Sequence, residues 1–205
     1  MLLHPIDVAA ALDAARTAQR IENDDVSGAL LAAIAMKARS YALAASTYEE
    51  LTAMDGDNPY YFYWLAMARL ADGHCSLALD SVAEAIRIRP SWGEAHVVQI
   101  RATALCGSLL IREKARGKAV ALLRKQSDTD IRLTLAFAEM SLGNLGGAEK
   151  LIELERPHPD AALLAEALRR KRLPTLPFAA ESSWWQPEEI KHALAENAER
   201  KERSK

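Results

Sequence analysis

Cysteine is scarce in this chain of 205 residues, which contains Cys75 and Cys106 and no others. Two cysteines without close spacing indicate neither a disulfide framework nor the ligand set of a zinc site. We therefore expect both thiols to be reduced and to act as small apolar side chains, as they would in the cytoplasm. No bound metal ion is expected.

Long apolar runs are missing as well. Runs such as Ala29–Met36, with eight residues, are far shorter than the roughly 20 residues that a membrane-spanning helix needs. The start of the sequence carries Asp7 and Asp13 where a secretory signal peptide has an apolar stretch. These absences predict a cytoplasmic protein without a membrane span.

Residues that favour β-strands are also few. Valine and isoleucine together contribute 16 residues, against 39 alanines and 28 leucines, and this balance favours helices. Charged residues make up 26% of the chain and the net charge is -2, values typical of soluble globular proteins. The composition predicts an all-α fold.

An internal repeat of 34 residues organises the sequence. Its clearest copy, Pro59–Pro90, predicts two amphipathic helices with a turn at Asp72-Gly73. Gly73 allows a positive φ at that turn, and Pro90 cannot continue a helix. The residues that share one face of the first helix are Phe62, Leu65, Ala66 and Arg69, and those that share one face of the second are Ala78, Val82 and Ala85.

This spacing of large, small and turn residues resembles the tetratricopeptide repeat. The resemblance implies an all-α, right-handed superhelix, or α-solenoid, built from antiparallel helical hairpins and closed by helical caps. Small residues at Ala66, Ala78 and Ala85 fit such hairpins, because they let two helix backbones approach closely.

Three further copies match the pattern less closely. The first copy has Gly56 where the pattern has proline, and the third has Arg112 and Arg116 where the family has small and bulky apolar residues. We interpret these arginines as marking an exposed helix or a contact with an acidic partner. The third copy is two residues longer, because Gly107 and Gly143 are 36 residues apart, and we expect the extra residues near 126–129. The positions that match in the first and fourth copies are Leu31, Ala32, Ala44, Tyr48, Leu51, Leu135, Ala136, Gly143, Ala148, Ile152 and Pro157.

The predicted organisation has three parts. An N-terminal capping helix lies within residues 1–24, and C-terminal helices joined by a tryptophan-containing segment occupy residues 163–205. Between them, the four repeats are expected at residues 25–58, 59–92, 93–128 and 129–162.

The resemblance also implies a binding surface, because the first helix of each repeat lines the concave side of such arrays. The alternative for Tyr60, Tyr63 and Met67 is a place in the core between repeats. The expected peptide-binding groove comprises Tyr60, Tyr63, Met67, Leu70, Val97, Arg101, Phe137 and Met140.

This groove is mostly apolar and aromatic, so the expected ligand is an apolar or amphipathic segment of another protein. The protein is then a scaffold, an adaptor or a chaperone. One subfamily clamps the terminal carboxylate of heat-shock chaperones, which requires charged donors. Such donors are absent from the matching positions Ala29, Ala33, Trp64, Glu94 and Val98.

The C-terminal part contains the apolar residues Phe178, Trp184 and Trp185. They either cap the last repeat or fold into the groove, or they dock onto a second protein. Docking would make the protein an accessory or regulatory subunit of an enzyme complex, which is the alternative function. A homo-oligomer is left open.

Catalysis and nucleic-acid binding have little support. The sequence has no phosphate-binding loop and no nucleophile elbow, and its five histidines are scattered. The basic runs Arg112–Lys125 and Arg169–Arg172 lack the interleaved aromatic residues that stack on bases. We expect a protein that is not an enzyme, binds no cofactor and does not bind nucleic acid.

Overall fold

The structure, a computed structural model, describes residues 8–22 and 24–173. These residues form ten α-helices and no strand, which confirms the all-α prediction. No helix among them combines the length and the apolar character needed to cross a membrane. The helices are α1 (Val8–Glu22), α2 (Asp25–Lys37), α3 (Tyr41–Met54), α4 (Pro59–Ala71), α5 (Cys75–Ile88), α6 (Gly93–Cys106), α7 (Leu109–Lys125), α8 (Thr129–Ser141), α9 (Leu145–Leu154) and α10 (Pro159–Arg169).

The helices form a repeated array. Each helix packs against the next one in the chain, and the short connections make these neighbours antiparallel. In addition, α6 packs against α4 and α8, and α8 packs against α10. Alternate helices therefore form one layer of the array, in which α4, α6, α8 and α10 lie side by side.

Local capping explains where several helices begin. The Asp24 carboxylate accepts a hydrogen bond from the Ser27 backbone N–H, and the Ser27 hydroxyl accepts one from the Asp24 N–H, which is a capping box. At α4, the Asn58 side chain accepts from the Tyr60 N–H and Pro59 occupies the first helical position. Each cap satisfies a backbone donor that the helix leaves unpaired.

The turn after a first helix recurs with the same backbone geometry. Gly73 has a φ of 85°, as the sequence predicts, and the corresponding residues Arg39, Gly143 and Lys171 also have positive φ. At each turn the following N–H reaches back to close the helix end; the His74 N–H, for example, donates to the Arg69 carbonyl at 2.8 Å. Because Lys171 follows α10, α10 corresponds to the first helix of a further pair.

The third turn differs from the others. Gly107 has a φ of -78°, so glycine is not needed here for left-handed backbone. A Cβ at this position would lie 2.6 Å from the Thr103 carbonyl oxygen and 2.7 Å from Ile111 Cγ2. Glycine is therefore required because the tight turn brings position 107 against both the last turn of α6 and the first turn of α7.

Alanine dominates the contacts between helices. One buried cluster joins α2 to α6 and another joins α6 to α10. Leu70, Ala78 and Ala102 form a small third cluster where α4, α5 and α6 meet. The completely buried alanines in these clusters include Ala32, Ala44, Ala66, Ala78, Ala85, Ala119, Ala136 and Ala148.

The two extra residues of the longer copy lie elsewhere than expected. The segment near 126–129 is short, and α7 instead continues for 17 residues, whereas α3 and α5 have 14. The longer helix is stabilised because Leu122 and Leu123 pack against the α6–α10 core.

Arg112 and Arg116, which depart from the repeat pattern, have structural partners. Arg112 donates to the carbonyls of Gly107 and Ser141, each at 2.8 Å. Arg116 pairs with the buried Glu139 carboxylate of α8 at 2.7 Å. Both arginines thus join α7 to the end of α8, and their partners lie within the chain.

The expectation of reduced cysteines is wrong for this structure, in which Cys75 and Cys106 form a disulfide. Cys75 begins α5 and Cys106 ends α6, beside corresponding turns of adjacent helix pairs, so their Cα atoms lie 5.8 Å apart. The bond joins the second helix pair to the third. Disulfides are typical of oxidising compartments, so the cysteines no longer support a cytoplasmic location.

We expect the disulfide to stabilise the array. Since it closes a loop between residues 31 apart, its reduction should lower the free energy of unfolding by about 3 kcal/mol. Urea unfolding with and without a dithiol reductant measures this, and a Cys75→Ser/Cys106→Ser variant should be insensitive to the reductant. Alkylation of both cysteines in the folded, unreduced protein would contradict the bond.

Two glycines provide a matched test of the close contact between α6 and α7. Gly107→Ala should destabilise the protein by about 1–3 kcal/mol because its Cβ meets backbone and the branched Ile111 side chain. Gly117→Ala, in the middle of α7 with open space around it, should instead stabilise by about 0.5–1 kcal/mol. Thermal and urea unfolding give both values. Equal effects at the two positions would show that α6 and α7 are not this close.

Candidate protein-binding surface

An aromatic cluster lies between α4 and α6, in the layer that contains α4, α6, α8 and α10 and that we call the inner layer. The rings of Tyr60 and Tyr63 lie 4.8 and 4.7 Å from that of Trp92, and the Tyr63 ring lies 5.2 Å from that of Trp64. Trp92 is buried, whereas 45% of Tyr60 is exposed. The buried indole therefore supports an accessible phenol ring.

Arg89 fixes the accessible edge of this cluster. Its guanidinium lies 5.5 Å from the Trp92 ring centre, within cation–π range. One of its nitrogens also donates a 3.1 Å hydrogen bond to the Tyr60 hydroxyl. The arginine thus holds both rings and leaves a surface with apolar faces and a polar rim.

Helix geometry explains why these rings meet. Tyr60 and Tyr63 are three residues apart on α4, so they lie on the same side of that helix. Trp92 is the residue immediately before α6, which places its side chain at the start of the neighbouring inner helix. The cluster therefore depends on the packing of α4 beside α6.

A polar cluster lies on the next pair of inner helices, around Arg101 of α6. Only 5% of Arg101 is exposed. Its Nε donates to the Thr134 hydroxyl at 2.7 Å, and its Nη2 donates to the Asp130 carbonyl at 3.3 Å and lies 3.6 Å from the Asp130 carboxylate. A buried arginine with these partners joins α6 to α8.

Burial and nearby carboxylates act on the Arg101 guanidinium in opposite directions. Burial lowers the pKa of Arg101, while Asp130, Asp160 and Tyr63 act in the opposite direction. Asp160, at the start of α10, is itself only 4% exposed. Because Tyr63 interacts electrostatically with Arg101, the aromatic and polar clusters are adjacent.

Asp130, His158 and Asp160 could in principle hold a cation, since one ligand atom from each lies within 4.8 Å of the others. His158 Nδ1, however, accepts a hydrogen bond from the Asp160 N–H at 3.2 Å, which caps α10. Arg101 also places a positive charge beside both carboxylates. The arrangement is accounted for by capping and ion pairing.

The structure distributes the predicted groove residues unevenly. Tyr60 is exposed and Tyr63 is half-buried. The remaining members are buried between helices and do not form one surface; they are Met67, Leu70, Val97, Arg101, Phe137 and Met140. A ligand-binding role for the eight residues stays a prediction. Phe178, Trp184 and Trp185 lie outside the described residues.

The sequence interpretation omitted Trp92, Arg89 and Asp160, all of which contribute to these clusters. One signal was available, because Trp92 stands just before a predicted first helix and Arg89 just after a second one. Residues at such junctions belong to two neighbouring repeats at once. Nothing in the spacing indicated that Asp160 would be buried beside Arg101.

Comparison with known proteins supports the fold. No family model matches the chain, and no curated protein sequence matches it. Eleven chains of solved structures match. One is the crystal structure of TTC0263, a thermophilic TPR protein in Thermus thermophilus, which superimposes with a TM-score of 0.62 at 22% sequence identity, covering 80% of this chain and 91% of that chain. The tetratricopeptide-like architecture is thereby confirmed as a fold.

The Arg101 cluster makes a specific prediction about stability. Arg101→Leu should lower the free energy of unfolding by about 3–5 kcal/mol, because it leaves the buried Asp160 without its neighbouring cation. Arg87→Leu should change it by less than about 1 kcal/mol, since Arg87 pairs with Glu84 in an exposed position. Urea unfolding at neutral pH compares the two. A similarly small loss of unfolding free energy for both variants would contradict a stabilising role of the buried Arg101 ion pairs.

Proposed function

We propose that this protein is a non-enzymatic protein–protein interaction scaffold. The fold consists of stacked helical hairpins, and such arrays present extended surfaces to protein partners. The observation that carries the proposal is the aromatic surface formed by Tyr60, Tyr63 and Trp92, in which a buried ring supports an exposed one.

The proposed ligand is an apolar or amphipathic segment of another protein. Aromatic residues that are rigidly held contribute large contact areas at little cost in side-chain entropy, and they are enriched among residues that dominate binding energy. Tyr60 is held by Trp92 and Arg89, so this ring is preorganised for contact.

The charge beside the aromatic surface adds to this proposal. Glu94 and Asp130 are exposed in the first turns of α6 and α8. A segment that crosses from α4 toward α8 would therefore meet aromatic rings first and carboxylates afterwards. We expect such a segment to carry an apolar anchor followed by a basic side chain.

We propose two narrower functions as alternatives. One is a chaperone that shields unfolded segments. The alternative of an accessory or regulatory enzyme subunit depends on Phe178, Trp184 and Trp185, which lie outside the described residues. We also propose that the protein has no enzymatic activity, is cytoplasmic and does not bind nucleic acid.

The experiment is a selection of random peptides displayed on phage against the full chain, followed by calorimetric titration of the enriched peptides. Tyr60→Glu should weaken their binding about tenfold or more, because it puts a charge at the centre of the aromatic surface. Leu154→Glu, at an exposed position at the end of α9, is the matched control and should leave binding unchanged.

Circular dichroism should show the same helix content in both variants. Equal affinity of the selected peptides for Tyr60→Glu and for the unchanged protein would place their site elsewhere. Failure to enrich any peptide would contradict segment binding altogether.

A further inference from the structure

An exposed aliphatic edge lies on the side of the array where first helices turn into second helices. We call it the turn edge and define it as Leu109, Leu110 and Ile111 at the start of α7 and Leu145 at the start of α9. Leu109 and Leu110 are 69% and 68% exposed. Three consecutive exposed aliphatic residues are unusual on a protein surface and indicate a contact partner.

The outer face of α7 continues this edge with positive charge. Lys114 and Lys118 follow Leu110 at helical spacing, so they lie on the same side of α7. Lys118 hydrogen-bonds the neutral Gln99 side chain, and Lys114 has no acidic partner among the described residues. Gly117, which lies between the two lysines in the sequence, has open space around it, and Arg124 further along α7 is also exposed.

The aliphatic turn edge and the neighbouring lysines together indicate what kind of segment could bind there. A segment that covers both parts must offer apolar side chains to the aliphatic residues and carboxylates to the lysines. A second copy presenting the same face would bring lysines opposite lysines, which is unfavourable. A flat membrane surface would require the apolar residues to run along the helix, but here they are confined to its first turn.

The chain itself contains a segment of this kind at residues 174–190. Its acidic residues are Glu181, Glu188 and Glu189, and no basic residue interrupts it before Lys191. Its large apolar residues are Leu176, Phe178, Trp184, Trp185 and Ile190. The segment is thus complementary to the turn edge and the lysines in both charge and hydrophobicity.

The place where the described chain ends favours the same pairing. Lys171 has the same turn conformation as Gly143 and Gly73, so α10 ends at the turn edge, as α8 does. Leu173 follows α10, and α8 lies between α10 and α7. The distance from Leu173 to α7 is therefore about two helix-to-helix spacings, or roughly 20 Å. The ten residues from Pro174 to Ser183 can span up to about 33 Å.

We propose that residues 174–190 fold back across the turn edge of their own chain, with Trp184 and Trp185 on Leu109–Ile111 and with Glu188 and Glu189 beside Lys114 and Lys118. This contact lies away from the aromatic surface and goes beyond the proposed function. It covers the aliphatic edge and leaves Tyr60 accessible to a partner protein.

Photo-crosslinking in the full chain tests this contact. The photoreactive amino acid p-benzoylphenylalanine replaces Leu110, and in separate proteins it replaces Tyr60 or Met54, which is exposed at the end of α3 on the opposite edge. After irradiation, mass spectrometry of the digest locates the bonds. We expect position 110 to react with residues 174–190 and positions 60 and 54 not to do so.

A mixture of isotopically light and heavy protein separates contacts within one chain from contacts between chains. Reaction of the segment with position 60 would place it in the concave surface, and mixed light–heavy products would assign the edge to a second copy. Either result overturns the proposal, as does the absence of any bond between position 110 and the segment.

Charge reversal provides a second readout. Lys114→Glu/Lys118→Glu should lower the yield of the bond from position 110 about fivefold at low salt. Adding Glu188→Lys/Glu189→Lys to the same chain should restore the yield, because the charges are again opposite. An unchanged yield, or a loss that the second pair of changes does not restore, contradicts the proposed pairing.

Discussion

The close packing of helices on buried alanine is the constraint on which this structure depends. Ala66 and Ala78 belong to one helix pair, and Ala136 and Ala148 belong to another, all of them inaccessible to solvent. A larger side chain at any of these positions would force the helices apart, since well-packed interiors accommodate extra volume poorly. The tight turn between α6 and α7 likewise leaves room only for glycine at position 107.

This close spacing also decides what remains accessible on the inner layer. Because α6 and α8 lie side by side, Val97, Phe137 and Met140 are buried between helices. Arg101 serves as a polar joint in the same layer, where it binds residues of α8. The aromatic side chains at the α4–α6 junction are the exception, since Trp92 fills the space beneath them and keeps Tyr60 at the surface.

The sequence was sufficient to predict the helical hairpins and the tetratricopeptide-like fold, because turn glycines and alanines recur at a fixed interval. It was less informative about the groove. The 34-residue period places Met67 and Phe137 on a particular helix face, but it does not give the distance to the next helix, which decides whether they are buried. The disulfide was missed because Cys75 and Cys106 were judged by their separation along the chain. Both flank corresponding turns, and corresponding turns of adjacent repeats are neighbours.

We propose that this array recognises a protein segment through the aromatic surface of its inner layer. A crystal structure of the full chain with a bound, selected peptide would locate that segment. We expect peptide density against Tyr60 and Tyr63, with the peptide continuing past Glu94 toward Asp130. Peptide bound only to the outer helices, with Tyr60 in contact with solvent, would contradict it.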